Sequence, residues 1–387
     1  MTACIVGWAH TPFGRHGLDI ETMMVDVATG ALKDAEIDAS SVDEILVGNF
    51  GGPFSRQGFP SSLVLQASEK LRYTPSTRVE NACATGSAAI HQGLKSIQAG
   101  HARFVLVVGV ESMTSTPKAQ IAEGLLSASY VQEEAEIEGG FAGVFGQIAS
   151  QYFERFGDQS EALARIAAKN HRNGVDNPYA QIRKDLGFEF CNEVTDGNPK
   201  VAGPLRRTDC SLVSDGAAAL LLTDEETARS LNKAVRFRSV SQVNDFLPMS
   251  KRDVLQFDGC REAWSRALDS AGCGLDDLSF VETHDCFTMA ELLEYEAMGL
   301  AKPGQGADVI ANGVTERDGP LPVNLSGGLK AKGHPIGATG VSMHVIASMQ
   351  LTGTAGDMQL PGAEIAGIFN MGGVAVANYV SVLEPLG

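Results

Sequence analysis

Cys83 lies in Val-Glu-Asn-Ala-Cys-Ala-Thr-Gly-Ser-Ala-Ala, residues 79–89, between a strand-like approach and a run of very small residues that opens a helix. A thiol at a helix start meets free backbone N–H groups and the positive end of the helix dipole, both of which favour thiolate. Ala82, Ala84, Gly86 and Ser87 leave room for a substrate carbon to approach the sulfur. This pattern reads as a nucleophile, with a small, buried, inert cysteine as the alternative. Three further stretches carry chemistry. In Asn324 to Gly340, NLSGGLKAKGHPIGATG, His334 sits in a glycine-bounded turn before a helix starting near Ile336, where backbone and ring can approach a ligand closely. In Glu282 to Phe287, ETHDCF, a strand end offers His284, Asp285 and Cys286 in succession; alternation along a strand would point His284 and Cys286 to one side and Asp285 to the other. In Phe369 to Val376, FNMGGVAV, Gly372 and Gly373 can expose backbone N–H groups, either as an ordinary tight turn or as donors to an oxyanion.

These residue types suit acyl or proton transfer. His and Cys from distant turns could also ligate zinc, but the spacing contains no C-x-x-C pair and no metal is expected. The glycine-rich stretch before His334 lacks the order of a phosphate-binding P-loop, which argues against nucleotide hydrolysis.

The elements that must hold these residues follow from periodicity. Cys4 to Trp8, Glu44 to Gly48 and Phe104 to Val108 are short apolar or β-branched runs that predict strands. Ile20 to Ala35 predicts a helix begun by Asp19, and the helix after Cys83 should run to about Ala99 and stop at Gly100. Alternation of this kind indicates an α/β chain with buried sheets. Ala31 to Phe50 resembles Ala267 to Phe287, and Asp215 to Asp224 resembles Gly372 to Val382, so the chain reads as two copies of one α/β unit with a site where they meet. The organisation expected is a first half at 1–114 and 205–231, an inserted loop domain at 115–204, and a second half at 232–387.

The 387 residues suffice for more than one packed unit, and 44% hydrophobic with 20% charged residues is the balance of a globular protein. A formal charge of −17 disfavours nucleic acid and anionic membrane as partners. No apolar run is long enough to span a bilayer and no leader or peroxisomal address is evident, so a cytoplasmic location is expected. Seven scattered cysteines suggest neither a disulfide framework nor a zinc site.

Taken in order, the Cys83 segment, DCSLVSDGAAALLL at Asp209 to Leu222, HDCF at His284 to Phe287, GHPIGATG at Gly333 to Gly340 and the terminal glycine turn resemble a thiolase over essentially the whole length. HDCF in place of the Asn-Glu-Ala-Phe of many thiolases, and Asn370 where many carry a second cysteine, is similar to the sterol-carrier-protein-2 type, here without room for an appended sterol-carrier domain. The resemblance implies a five-layered α/β fold of two duplicated domains with buried central helices and mixed sheets. It implies Cys83 as acyl-accepting nucleophile and His334 as its base, with a thiol pKa lowered by His334 and the helix start. Cys286 becomes the acid/base of the second half-reaction. His284 and His334 would receive the thioester oxygen of the second substrate, and the N–H groups of Cys83 and Gly372 the acyl oxygen. Coenzyme A and acyl-CoA are implied as substrates, with no tightly bound cofactor. Ser211 is the family's CoA contact, and Arg183, Lys184, Arg206 and Arg207 are candidates for the CoA phosphates, with a solvated basic cluster as the alternative. A homodimer or homotetramer is implied, and some relatives work with a small accessory protein. A retro-aldol lyase on the same fold and a non-catalytic scaffold subunit are the competing functions, disfavoured by the intact Cys83, His284, Cys286 and His334 set.

Overall fold

The computed structural model describes residues 2–55 and 57–387, and every structural statement below concerns those residues. Eleven strands are formed: β1 (Ala3–His10), β2 (Glu44–Gly48), β3 (Ser76–Val79), β4 (Phe104–Glu111), β5 (Lys200–Ala202), β6 (Leu205–Arg206), β7 (Gly216–Asp224), β8 (Val235–Asn244), β9 (Phe280–Glu282), β10 (Ala366–Gly372) and β11 (Ala377–Pro385). β5 and β6 make a small hairpin, and the other nine form one mixed sheet in the order β3-β2-β4-β7-β1-β8-β11-β10-β9.

That order is a duplication. From its centre outward the first half runs β1, β7, β4, β2, β3, and the second runs β8, β11, β10, β9, followed by an isolated parallel bridge from Val281 to Val323 where β3 would have its counterpart. The halves are joined by a short antiparallel pairing of Cys4 and Ile5 in β1 with Arg236 and Val235 in β8.

Side-chain alternation sorts each strand onto two faces. In the first half Ile45, Val47, Leu106, Val108 and Leu221 pack with helix Ile20–Asp34, whose first turn is capped by Asp19 accepting from the Thr22 N–H. The opposite face, with Leu46, Val105, Val107 and Leu222, joins Phe280, Ile368 and Leu383 of the second half around two central helices, Thr85–Gln98 and Ile336–Leu351. The far side of the second half packs Phe369, Val380 and Val382 against Trp264 and Ala267 of helix Asp258–Ala271. The result is five layers: outer helix, strands, central helix pair, strands, outer helix. Fifteen of the sixteen residues of Ile336–Leu351 are buried, as a helix enclosed on all sides requires.

Glycine lets the central helices touch. A Cβ on Gly86 would lie 2.8 Å from the Val341 nitrogen and 2.9 Å from that of Gly340, while a Cβ on Gly340 would collide with the Ser87 nitrogen. Large side chains here would push apart the helix starts that carry Cys83 and His334.

The segment at 115–204 is more helical than its polar texture predicts, holding helices Lys118–Leu126, Gly140–Phe156 and Ser160–Gly174. The last of these is tied to the second half through a fully buried ion pair, Lys169 to Glu291 at 2.8 Å. Asn170 donates from the same helix to Asp285 at 2.8 Å and to Glu291 at 2.6 Å. None of the helices is long and apolar enough to cross a membrane.

Candidate active site

The chain enters the helix after Cys83 through Ala82, a non-glycine residue at φ 49°. That conformation costs roughly 1–2 kcal/mol for an L-residue and is held here by surrounding bonds: the Ala82 N–H donates to Glu80 at 2.5 Å, and Asn81 donates to the Thr85 hydroxyl at 2.8 Å and the Tyr379 hydroxyl at 2.7 Å. Cys83 thus precedes the first helical residue and sits where the notch of the turn exposes it. It packs with Phe54, Met113, Ile121 and Ile336 and keeps 7% of its surface, enough for a narrow approach. A cleft of about 720 Å³ opens beside it, lined by Ala82, Gly372 and Gly373 among others.

His334 occupies the matching place before the second central helix. Its N–H donates to the Ser214 hydroxyl at 3.0 Å, Ser214 donates to Gln181 at 2.6 Å, and its ring Nδ1 lies 2.7 Å from the Thr339 hydroxyl. Gly333, at φ 111°, allows the preceding turn. Glu111 at the end of β4 locks this helix start to the first half by accepting N–H groups from Phe50 (2.9 Å), Gly51 (3.2 Å) and Gly337 (3.1 Å), and burial lifts its pKa to about 7.

His284 and Cys286 reach the site by a different route from the one strand alternation suggests. β9 ends at Glu282, and residues 283–286 form consecutive tight turns in which the Asp285 N–H donates to Thr283 O at 3.1 Å and the Cys286 N–H to His284 O at 3.0 Å. Asp285 turns away to accept from the N–H groups of Leu329 (2.6 Å) and Lys330 (3.2 Å), which anchors the turn. Ser211 holds it from the other side, its N–H donating to Cys286 O at 2.9 Å.

The structure brings Cys83, His284 and His334 together: the sulfur and one nitrogen of each ring all lie within 4.8 Å of one another. The rings meet edge to face with centroids 5.0 Å apart. Both Nε2 atoms are buried and make no hydrogen bond within the described residues. A thiol and two imidazoles are also donors that zinc accepts.

The electrostatics correct one expectation. Burial, not the helix start, dominates at Cys83 and pushes its thiol up to about 12; Glu80 and Glu111 add to this, and an N–H from Gly373 partly offsets it. Cys83 is therefore a neutral thiol at neutral pH. Burial and then the charge of Lys332 hold His334 down at about 3, and burial, His334 and Lys332 hold His284 well below its ordinary value. Burial, followed by Cys83, Glu294 and Asp285, lifts Cys286 well above the usual thiol range. At neutral pH the site is an assembly of uncharged acids and bases.

Two backbone N–H groups reach the sulfur, that of Gly373 and that of Cys83 itself. Gly372 serves close approach: a Cβ there would lie 2.5 Å from Asn81 O.

Among the basic candidates, Arg206 is not available to a phosphate. The residue is 2% exposed, and its guanidinium pairs with Asp209 at 3.0 Å and donates to Asn192 O at 2.8 Å and Ser160 O at 2.6 Å, so it is a structural clamp. Arg183, Lys184 and Arg207 are exposed. The strand-like stretch before Arg183 runs beside the approach to His334, with the Gln181 N–H donating to Lys332 O at 3.1 Å and the Ile182 N–H to Ala331 O at 3.0 Å.

Sequence reasoning misses Asn370 as a site residue. Its amide nitrogen lies 2.8 Å from His284 Nδ1 and 3.2 Å from Cys83 O, and its oxygen accepts from the Ser87 hydroxyl at 2.8 Å. The signal that could have found it is a lone amide in an otherwise apolar strand, Phe369-Asn370-Met371.

Comparison with known proteins is consistent with this geometry. Residues 3–189 match the thiolase N-terminal domain family and residues 241–385 the thiolase C-terminal domain-like family. The chain is similar to an acetyl-CoA acetyltransferase of Methanothermobacter thermautotrophicus, 35% identical with 95% of this chain and 96% of that one covered. Human sterol carrier protein 2 is 32% identical over 95% of this chain and 69% of its own length. Benzoylsuccinyl-CoA thiolase subunit BbsB of Thauera aromatica is 31% identical over 93% and 90% respectively. Among solved structures, the Ltp2-ChsH2(DUF35) aldolase superposes with a TM-score of 0.81 at 19% identity, covering 99% of this chain and 97% of that one. An acetyl-CoA acetyltransferase from Syntrophomonas wolfei does so with a TM-score of 0.73 at 18% identity, covering 99% of each.

Proposed function

Because this chain belongs to the thiolase family, we propose that it moves an acyl group between a 3-ketoacyl-CoA and CoA, or runs the reverse condensation, through an acyl-Cys83 intermediate. The observation that carries the proposal is the convergence of the Cys83 sulfur with one nitrogen each of His284 and His334 within 4.8 Å.

In the cleavage direction the neutral Cys83 thiol gives its proton to His334 as sulfur attacks the 3-keto carbon. Coupling the two events avoids a buried free thiolate, which the high thiol pKa disfavours. The acyl oxygen gains charge in front of the glycine turn, where the Cys83 and Gly372 N–H groups, with Gly373 adjoining, serve as donors. The carbon–carbon bond then breaks, and the electron pair moves onto the departing thioester as an enolate facing the two imidazoles. Cys286 protonates its carbon. The resulting Cys286 thiolate removes the proton from the incoming CoA thiol, whose sulfur displaces Cys83 from the acyl group, and Cys83 recovers its proton from His334. Cys286, held as a thiol by burial, starts in the state this sequence requires.

Ser211 beside the Cys286 turn, with Arg183, Lys184 and Arg207 exposed, supplies the proposed CoA contacts; Arg206 is withdrawn from that set. A cytoplasmic setting and a homodimer or homotetramer complete the reading. A second reading adds an accessory protein. It is favoured by a relative named as a subunit, BbsB, and by a structural neighbour named as an aldolase with a DUF35 protein.

Thiolysis of 3-ketoacyl-CoA esters of graded chain length by the purified chain, alone and with candidate accessory subunits, tests both. Turnover by the chain alone supports the first reading, and turnover only with a partner supports the second. Retro-aldol cleavage without CoA consumption would overturn acyl transfer.

A further inference from the structure

We infer that Asn370 and Thr339 hold the two active-site imidazoles in opposite tautomers, so that His284 presents an N–H and His334 a bare nitrogen to the space beside the Cys83 sulfur. The assignment follows from which atoms can only accept. Cys83 O is a carbonyl, so the Asn370 atom 3.2 Å from it is the amide nitrogen, and the amide oxygen faces the Ser87 hydroxyl at 2.8 Å. The opposite amide orientation would set two oxygens against each other. The same amide nitrogen lies 2.8 Å from His284 Nδ1, which must therefore accept, leaving the ring proton on Nε2.

At the other ring the logic reverses. Thr339 Oγ1 lies 2.9 Å from Pro335 O, which also receives the Ala338 and Thr339 N–H groups at 3.0 Å each, and we assign the hydroxyl proton to that carbonyl as a helical back-bond to residue i−4. With the hydroxyl proton placed there, His334 Nδ1, 2.7 Å from the same oxygen, donates to it, and the lone pair is on Nε2. Because burial keeps both rings neutral, each has only one N–H to place, and the tautomer decides its chemistry. One ring is built as a hydrogen-bond donor for a developing oxyanion, the other as a base for the thiol.

Asn370 is thereby a positioning residue acting through His284. The titratable or charged groups around His284 are Cys83, Cys286, His334, Lys332 and Glu294, whose carboxylate receives the His284 backbone N–H. The hydrogen bond at Nδ1 itself belongs to Asn370. The catalytic consequence rests on the acyl-transfer reading; the tautomers themselves do not.

Long-range proton–nitrogen correlation NMR on the full chain labelled with 15N-histidine reads the tautomers directly, with signals identified by their loss in His284→Gln and His334→Gln. The expected wild-type spectrum has His284 protonated at Nε2 and His334 at Nδ1. Both rings in one tautomer, or the reverse assignment, overturns the proposal without recourse to any further variant. In Asn370→Asp an acceptor replaces the donor, so His284 gains a proton at Nδ1. Turnover should then fall about 10²- to 10³-fold at high pH, where Nε2 is bare, and recover as the imidazolium forms at lower pH. A loss equal at every pH would make Asn370 merely structural and overturn its positioning role. Should the wild type show the expected tautomers but transfer no acyl group, the functional reading fails and the tautomer assignment stands.

Discussion

The two halves of the molecule deliver their reactive groups from the same place in a duplicated frame. Cys83 precedes the central helix of the first half, and His334 precedes that of the second. The difference lies in how each approach is held. Cys83 sits after a strained alanine, with an apolar pocket over the sulfur. His334 sits after a glycine, pinned through its backbone by Ser214 and through its ring by Thr339. A shared scaffold position therefore does not imply a shared side chain: one half carries a thiol there and the other an imidazole. His284 and Cys286 extend the contrast, because their counterpart at the end of β2 in the first half, Gly48-Asn49-Phe50, carries no titratable side chain and is used to hold Glu111.

The asymmetry breaks most sharply at Cys286. If Cys83 and His334 alone handle the acylation step, Cys286→Ala still takes an acetyl group from acetyl-CoA onto Cys83, as intact mass reports, while steady-state turnover falls about 10²- to 10⁴-fold. Near-normal turnover would remove Cys286 from the mechanism.

The contact between the halves is tested at Gly340. Gly340→Ala places a methyl against Ser87 and Asn370, so the helix starts must separate. Overpacking of this kind costs about 1–3 kcal/mol, seen as a lower thermal midpoint, together with slower acylation as the base moves away from the thiol. An unchanged midpoint would show that the helices have slack there.

Stability against pH tests the buried groups of both halves together. His10, His91, His171, His334 and His344 are held at about 3 to 4, and His284 well below its ordinary value, chiefly by burial. Their folded pKa values lie below the unfolded value, so the unfolded chain binds more protons as pH falls below about 6.5, and stability drops. Glu111, Asp285 and Glu294 are shifted upward and act in the opposite sense until the unfolded carboxylates are themselves protonated, near 4.5. Because the six histidines outnumber these three carboxylates, thermal midpoints should already fall from pH 6.5 to 4.5 and decline more steeply from there toward 3. A decline confined to the range above 4.5 would contradict this balance.

Much of this architecture is legible in the amino-acid sequence alone. Asp19 and Gly100 mark helix ends that the chain uses, Glu44–Gly48 is a strand as periodicity predicts, and the small residues after Cys83 and the glycines around His334 point to sites of close approach. What escapes a linear reading depends on distance and burial. Arg206 and Arg207 are adjacent and alike in sequence, yet Asp209 three residues on draws only the first inward. Asn370 and His284 meet across 86 residues. The Cys83 pKa turns on a competition between helix dipole and desolvation, whose winner is set by packing that no local pattern records.

The central claim is that Cys83 itself carries the acyl group. Intact-protein mass followed by peptide mapping after mixing with acetyl-CoA should find a single acetyl group on Cys83, absent in Cys83→Ala. An unmodified wild-type chain that still turns over, or an acetyl group placed on another residue during turnover, would contradict it.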